Sequence, residues 1–296
     1  MRLHYYILDV FTRQKLEGNP LAIVLDADDI DSLTMQRIAT EFNLSETVFL
    51  MRPRHARHLT SMRIFTKTRE LPFAGHPTVG AAVLLGLRHR STAVRIEEEI
   101  GVITAITEKF SETSGNARFT LPQLPVEAGP APDADALSSV LGLKPDEIGF
   151  ESHPPSRFSA GVPFTLIPVA NAAALRSIKV ERRGWQDVFG DKESSVYVYT
   201  QTPEEKDCDL AARMFSPMMG IDEDPATGSA AAALAGAIAA FSNLGEGQHA
   251  FTLRQGVEMN RPSRIRLQFK IEEGRLNHAA IGGDAVIIGE GNLDLP

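Results

Sequence analysis

The sequence predicts an α+β protein made of two similar halves. Short apolar runs rich in β-branched residues recur along its 296 residues, and several of them alternate apolar and polar side chains as half-buried strands do. Helical patterns are fewer, and they are segregated from the strands instead of alternating strictly with them, which favours α+β over α/β. An internal repeat, with segments in the same order about 150 residues apart, indicates a duplicated unit.

Four segments with a clear pattern are expected to form helices, and the sequence around Cys208, residues 204–215, is also expected to be helical. Residues 28–43 carry apolar side chains at helical spacing after a group of acids, and residues 132–143 have the same form. Residues 75–87 and 222–236 contain a glycine-rich turn followed by small residues. A helix with so few large side chains fits the centre of a domain, because alanine and glycine let surrounding strands approach closely.

The repeat is clearest between residues 63–86 and residues 213–236. Each segment begins with an arginine and a phenylalanine, passes through a glutamate and a proline, and reaches a glycine followed by small residues. The matched pairs are Arg63 with Arg213, Phe65 with Phe215, Glu70 with Glu223, Pro72 with Pro225, Gly75 with Gly228 and His76 with Ser229. Upstream, residues 18–27 resemble residues 161–170, and residues 46–53 resemble residues 195–203.

The repeat predicts two domains, residues 1–127 and residues 128–286. The segment 125–135, which contains three prolines, is the expected linker. A strand at 287–296 is a candidate to complete the first domain.

Composition excludes several classes of protein. A net charge of −8 argues against a nucleic-acid partner, because binding to phosphates needs a basic surface. No apolar run is long enough for a membrane span, and the N-terminus lacks the pattern of a signal peptide. The single cysteine, Cys208, allows no disulfide within the chain, so we expect a cytoplasmic protein.

The two glycine turns predict a site for an anion. A helix buried on all sides still has unpaired N–H groups in its first turn, and its N-terminus carries a partial positive charge. If the helices that begin near Gly75 and Gly228 point into one cleft between the domains, their amides form a site for a carboxylate or an oxyanion.

Four side chains near these turns could carry chemistry. Glu46 opens an apolar strand, and the matching position in the second half is Ser195, so only one half offers a carboxylate there. His76, Asp224 and Ser229 lie at the two helix entrances. A carboxylate in an apolar cleft can both accept and give a proton, so the set suits proton transfer next to a carboxylate-bearing carbon. That reaction requires no cofactor and no metal.

Three segments have a specific pattern: "RIFTKTRELPFAGHPTVGAAVLL" (63–85), "MFSPMMGIDEDPATGSAAAALAG" (214–236) and "RQGVEMNRPSRIRL" (254–267). Through these and other segments, the sequence resembles the PhzF-like family along essentially its whole length. The resemblance implies a diaminopimelate-epimerase fold, in which two similar domains each wrap a β-barrel-like sheet around a central helix and the active site lies between them. One departure is Asn260, where the family usually has glycine; asparagine tolerates a left-handed backbone better than most residues.

The resemblance also implies an activity. The family's phenazine-biosynthesis member isomerises trans-2,3-dihydro-3-hydroxyanthranilate without metal or cofactor, and family members are commonly homodimers. Its acid/base glutamate corresponds to Glu46. The substrate-binding set implied for this chain is His76, Asp224, Ser229, the amides at Gly75 and Gly228, and Ser45 beside the glutamate.

Two other functions stay open at this point. Amino-acid epimerases of the same fold use a cysteine at each helix entrance, and both turns here lack one, so only an epimerase without paired cysteines is compatible with the sequence. The second alternative is a non-catalytic protein that binds a small carboxylate.

Overall fold

A computed structural model describes residues 1–190, 195–202, 204 and 206–295 of the chain. The chain divides into two compact units, the first made of Met1–Pro122 and Ile281–Pro296 and the second of Gln123–Ala280. Strands outnumber helices in both units and do not alternate regularly with them, which confirms the α+β class. None of the helices in the described ranges is long and apolar enough to cross a membrane.

The strands and helices are named in chain order. The strands are β1 (Arg2–Val10), β2 (Asn19–Val24), β3 (Glu46–Met51), β4 (Thr60–Phe65), β5 (Glu70–Leu71), β6 (Ala93–Glu98), β7 (Gly101–Lys109), β8 (Ser114–Thr120), β9 (Val126–Glu127), β10 (Ser156–Ser159), β11 (Pro163–Pro168), β12 (Ser195–Gln201), β13 (Leu210–Ser216), β14 (Ile221–Asp224), β15 (Gly247–Gln255), β16 (Ser263–Glu272) and β17 (Arg275–Asp294). The α-helices are α1 (Ser32–Phe42), α2 (Gly75–His89), α3 (Ala134–Leu141), α4 (Ala172–Ser177), α5 (Trp185–Phe189) and α6 (Gly228–Phe241).

The first unit is a closed barrel around α2. The ring runs β1–β2–β3–β4–β6–β7–β8–β17 and returns to β1. Helix α2 packs against six of these strands, and every residue from Gly75 to Gly86 is buried. The expected central helix is therefore present, and its small side chains are what allow the strands to surround it.

The second unit repeats the connectivity of the first. The parallel pair β2–β3 corresponds to the parallel pair β11–β12, and the antiparallel pairs β3–β4 and β4–β5 correspond to β12–β13 and β13–β14. The parallel pair β4–β6 corresponds to β13–β15, and α6 follows the short strand β14 as α2 follows β5. Five matched steps in one order establish that the two units share a topology.

The matched arginines and glutamates make the same contact in each unit. Arg63 donates to Glu70 through Nε at 2.6 Å, and Arg213 donates to Glu223 through Nε at 2.9 Å. Each guanidinium makes a second bond to the same carboxylate, which fixes both side chains in a two-pronged geometry. Each pair ties a long strand to the short strand that leads into the central helix.

One local expectation is wrong. The sequence around Cys208 was expected to be helical, but residues 210–216 form β13, and Cys208 lies before that strand with its thiol donating to the Leu210 carbonyl at 3.0 Å. Alanine and leucine favour a helix in isolation. Here pairing with β12, β14 and β15 outweighs that preference, because it buries the entire segment.

Close packing around the second central helix can be tested at Gly236. A Cβ added there would lie 2.4 Å from the ring of Phe158 and 3.0 Å from Pro125. We expect Gly236→Ala to lower the free energy of unfolding by about 1–2 kcal/mol, since overpacking outweighs alanine's better helix propensity. Urea unfolding measures the change. Gly245→Ala is the control, because its Cβ would meet nothing within 4 Å; equal stability of the two variants would contradict the packing described.

Candidate active site

Helix α2 begins without a side-chain cap. Its N-cap residue is Ala74, whose methyl group cannot accept a hydrogen bond. The N–H of Thr78 donates to the Ala74 carbonyl at 3.2 Å, and Pro77 has no N–H. The N–H groups of Gly75 and His76 therefore have no acceptor within the helix, and they lie at its positive end.

Helix α6 begins in an equivalent way. Its N-cap residue, Thr227, belongs to a type that usually caps a helix, but its hydroxyl instead donates to the Asp224 carboxylate at 2.6 Å. The N–H of Ala231 donates to the Thr227 carbonyl at 3.1 Å, which matches the bond in α2. Gly228 is buried and Ser229 is half-buried at this second uncapped start.

Glu46 and His76 lie together at the start of α2. Glu46 is the first residue of β3, opposite Leu21 of β2, and the side chain is 16% exposed. Its Oε2 lies 3.0 Å from Nδ1 of His76, whose side chain is only 3% exposed. A strand start and a helix start thus bring together a carboxylate and an imidazole that are 30 residues apart in sequence.

The contact between these two groups leaves bonding capacity for a third. Glu46 Oε2 and His76 Nδ1 are close enough for an ion pair but are not aligned for a hydrogen bond. Glu46 Oε2 has no hydrogen-bond partner within the described residues. His76 Nε2 is also buried without a partner in that part of the chain. Buried polar atoms are normally paired, so two such atoms in one place mark a site where a ligand can bond.

Asp224 belongs to a buried hydrogen-bond network in the second unit. Gln255 donates through Nε2 to the Asp224 carbonyl at 2.7 Å and to the Thr227 hydroxyl at 3.0 Å. Its Oε1 accepts from the Thr227 N–H and from the Tyr197 hydroxyl, each at 3.1 Å. Burial, together with the Asp224 charge, raises the pKa of Tyr197, so that hydroxyl keeps its proton and remains a donor. All four bonding positions of the Gln255 amide are used.

The structure places the sequence-predicted residues in two groups. Gly75, His76 and Glu46 adjoin one another in the first unit, and Ser45 is half-buried immediately before β3. Asp224, Gly228 and Ser229 lie at the entrance to α6 in the second unit. Sequence reasoning missed Thr227, Gln255 and Tyr197, which hold that entrance. No local pattern marks Gln255, because its partners Thr227, Asp224 and Tyr197 are 28 or more residues away in sequence.

The two units differ in chemistry at one matched position. Leu21 pairs with Glu46 in the first unit, and Phe164 pairs with Ser195 at the corresponding place in the second. The Ser195 hydroxyl lies 3.0 Å from the Ser216 hydroxyl, so it is occupied by its own strand neighbour. At this matched strand position, the first unit carries a carboxylate and the second carries a hydroxyl.

Comparison with known proteins gives consistent matches along the chain. A family model described as phenazine biosynthesis-like protein matches residues 8–291. An uncharacterized isomerase of Mesorhizobium japonicum is 43% identical over 297 residues, covering 98% of each chain. The trans-2,3-dihydro-3-hydroxyanthranilate isomerase of Pseudomonas chlororaphis is 34% identical and covers 99% of each chain. The crystal structure of a Bacillus anthracis PhzF-family protein superposes with a TM-score of 0.87 at 24% identity, covering all of both chains.

The network around Asp224 can be tested at Gln255. Gln255→Ala removes the partners of the buried Thr227 N–H and Tyr197 hydroxyl, so we expect a loss of roughly 2–4 kcal/mol in the free energy of unfolding. Gln248→Ala, at an exposed position of the same strand, should cost less than about 0.5 kcal/mol. Urea unfolding of both variants at neutral pH makes the comparison. Equal losses in the two variants would show that the network contributes nothing.

Proposed function

We propose that this chain, an isomerase that belongs to the phenazine biosynthesis-like protein family, moves a proton between carbons of a small carboxylate by general acid/base catalysis. Glu46 is the proposed proton carrier, and no cofactor or metal takes part. The observation that carries the proposal is the pairing of a partly exposed carboxylate with a buried imidazole at an uncapped helix start. General acid/base catalysis needs such a group within reach of the substrate and able to change protonation state.

The proposed role of His76 is to orient the substrate and to assist Glu46. Its Nδ1 faces Glu46, and its Nε2 has no partner in the described ranges. An imidazole in this position can hold an amino or hydroxyl group of the substrate while the carboxylate beside it exchanges a proton. The amides of Gly75 and His76 would bind an anionic oxygen at the same helix start.

We assign substrate binding also to Asp224, Ser229 and the amide of Gly228, with Ser45 beside the proton carrier. The carboxylate of Asp224 is held by the Thr227 hydroxyl, and Gln255 bonds to the carbonyl of Asp224 and to the N–H of Thr227. A carboxylate fixed in this way suits the recognition of an amino or hydroxyl group, because its orientation is set before the ligand arrives.

The proposed substrate is cyclic or unsaturated. Three Pseudomonas relatives named trans-2,3-dihydro-3-hydroxyanthranilate isomerase are 32–34% identical along nearly the whole chain. Their substrate combines a carboxylate with amino and hydroxyl groups on a conjugated ring, and these groups match the polar set proposed here. A racemase on the same fold would need a second base opposite the first, and Ser195 occupies the matched position.

Two further elements complete the proposal. A cytoplasmic location is supported by a composition with one cysteine, and the net charge of −8 disfavours nucleic acid as a partner. We also propose a homodimer, which rests on the family resemblance.

The role of Glu46 is tested by Glu46→Gln. The amide has the same shape but cannot carry the proton, so we expect kcat to fall by at least about 100-fold. Binding of 3-hydroxyanthranilate, the aromatic counterpart of the relatives' substrate, should change by less than about threefold, since binding does not need the proton carrier. Turnover is followed by NMR with trans-2,3-dihydro-3-hydroxyanthranilate, and binding by calorimetry.

The control for this test is Glu41→Gln, which makes the same charge change at an exposed position of α1. It should leave both measurements unaltered. Near-normal turnover in Glu46→Gln would overturn the proposal, as would binding of the analogue without turnover by the unaltered protein.

A further inference from the structure

Glu98 is a buried acid in the first unit to which the proposed function gives no role. It is the last residue of β6, and only 4% of its surface is exposed. Its Oε1 lies 2.7 Å from the hydroxyl of Thr78 in the first turn of α2. The same turn carries Gly75 and His76, so Glu98 contacts the turn that holds the proposed anion-binding amides.

The hydrogens available at Thr78 determine the charge of Glu98. The Thr78 hydroxyl lies 2.8 Å from the Ala74 carbonyl and 2.7 Å from Glu98 Oε1, but it has a single hydrogen. A carbonyl can only accept. If Thr78 donates to Ala74, Glu98 must supply the hydrogen in the second contact. If Glu98 were ionised, Thr78 would have to donate its hydrogen to Glu98. The Thr78 hydroxyl oxygen and the Ala74 carbonyl oxygen would then lie 2.8 Å apart with no hydrogen between them.

The other oxygen of Glu98 supports the neutral form. Oε2 is buried without a hydrogen-bond partner among the described residues. Burying an unpaired carbonyl oxygen of a neutral acid destabilises the fold far less than burying an unpaired oxygen of an ionised carboxylate. Burial raises the pKa of Glu98 to about 8, which agrees with the protonated form that the geometry at Thr78 requires.

The neighbouring residue shows that the neutral form is specific to Glu98. Burial alone would raise the pKa of Glu97, but the backbone N–H groups of Arg54 and His55 and the ring of His58 bond to its carboxylate and lower the pKa to about 2. Consecutive glutamates on one strand thus have opposite environments, one with three donors and one facing a single hydroxyl.

We propose that Glu98 is a positioning residue, a neutral carboxylic acid that donates to Thr78 and fixes the first turn of α2 without placing a negative charge behind its amides. The bonded series from Glu98 through Thr78 to Ala74 holds the residue that precedes Gly75. A carboxylate in the same place would compete with an anionic substrate for the positive end of the helix. This consequence rests on the proposed function, whereas the protonation of Glu98 does not.

The other ionisable groups that could affect the pKa of Glu98 lie on β6 and on the elements packed against it. Helix α2, β4 and β7 are its neighbours, and β6 itself carries Arg95 and Glu97. The titratable side chains on the neighbouring elements are His76, Arg88 and His89 on α2, Arg63 on β4, and Glu108 and Lys109 on β7. Arg63 is already paired with Glu70, and burial is the main cause of the raised pKa of Glu98.

Protonation of Glu98 is tested by comparing the stability of the unaltered protein with that of Glu98→Gln, whose amide is neutral at every pH and can still donate to Thr78. Because the pKa of Glu98 is higher in the folded protein than in the unfolded chain, its protonation increases the free energy of unfolding. The whole contribution is present below the unfolded-state pKa of 4.5, and it is lost as the pH rises towards 8. The unfolding constant of the unaltered protein, relative to that of Glu98→Gln, should therefore rise about tenfold per pH unit across this window and then level off. Urea unfolding from pH 4 to 9 measures the ratio.

The control is Glu99→Gln, which makes the same change at the exposed next residue. Its unfolding constant should keep a fixed ratio to that of the unaltered protein across the window. A fixed ratio for Glu98→Gln as well would overturn the proposal.

A second measurement does not depend on the folding of Glu98→Gln. In protein labelled with ¹³C at glutamate Cδ, one carboxyl resonance should titrate near pH 8 and persist in Glu46→Gln. Absence of any such resonance would contradict the neutral acid. With active enzyme, KM should rise several-fold between pH 8 and 9, and Glu98→Gln should lack that rise while keeping its kcat. If no turnover is found, the proposed function fails, and the unfolding and NMR results still decide the state of Glu98.

Discussion

A helix that lies inside a sheet still has unpaired N–H groups in its first turn, and neither central helix pairs them with a side-chain cap. In α2 the N-cap residue is Ala74, and in α6 the hydroxyl of Thr227 is turned away to Asp224. The uncapped amides require something to bond to, and the buried partial charge at each start favours an anion. Other parts of each unit position these helix starts. Small residues allow strands to surround the helix, and the arginine–glutamate pairs hold the short strands that lead into it.

The duplicated topology provides two such starts, and side chains make them different. Glu46 at the start of β3 gives the first unit a carboxylate beside His76, whereas Ser195 at the matched position bonds to Ser216. In the second unit the polar residues are used to fix Asp224 and the backbone around it. One start therefore carries the groups suited to proton transfer, and the other carries groups suited to recognition.

The two similar units and their central helices could be predicted from the sequence because the internal repeat aligns the equivalent segments. The repeat matched Arg63 and Glu70 with Arg213 and Glu223, and the structure shows that each matched pair forms an equivalent contact that the sequence comparison itself did not predict. Asn260 takes a φ of +56°, as expected of an asparagine in a glycine position. The strand at 210–216 was missed because its pairing partners are distant in sequence and outweigh local preference. The roles of Gln255 and Glu98 also arise from partners 20 or more residues away, so no local pattern reveals them.

In the proposed reaction a proton passes through the carboxyl of Glu46, which is partly exposed and can exchange with solvent. Its most direct test is to isomerise trans-2,3-dihydro-3-hydroxyanthranilate in D₂O and locate deuterium in the product by NMR. If Glu46 carries the proton, deuterium should appear at the carbon that receives the proton and at none of the other ring carbons. Isomerisation that yields unlabelled product would contradict this role, because the hydrogen would then have moved without passing through an exchangeable group.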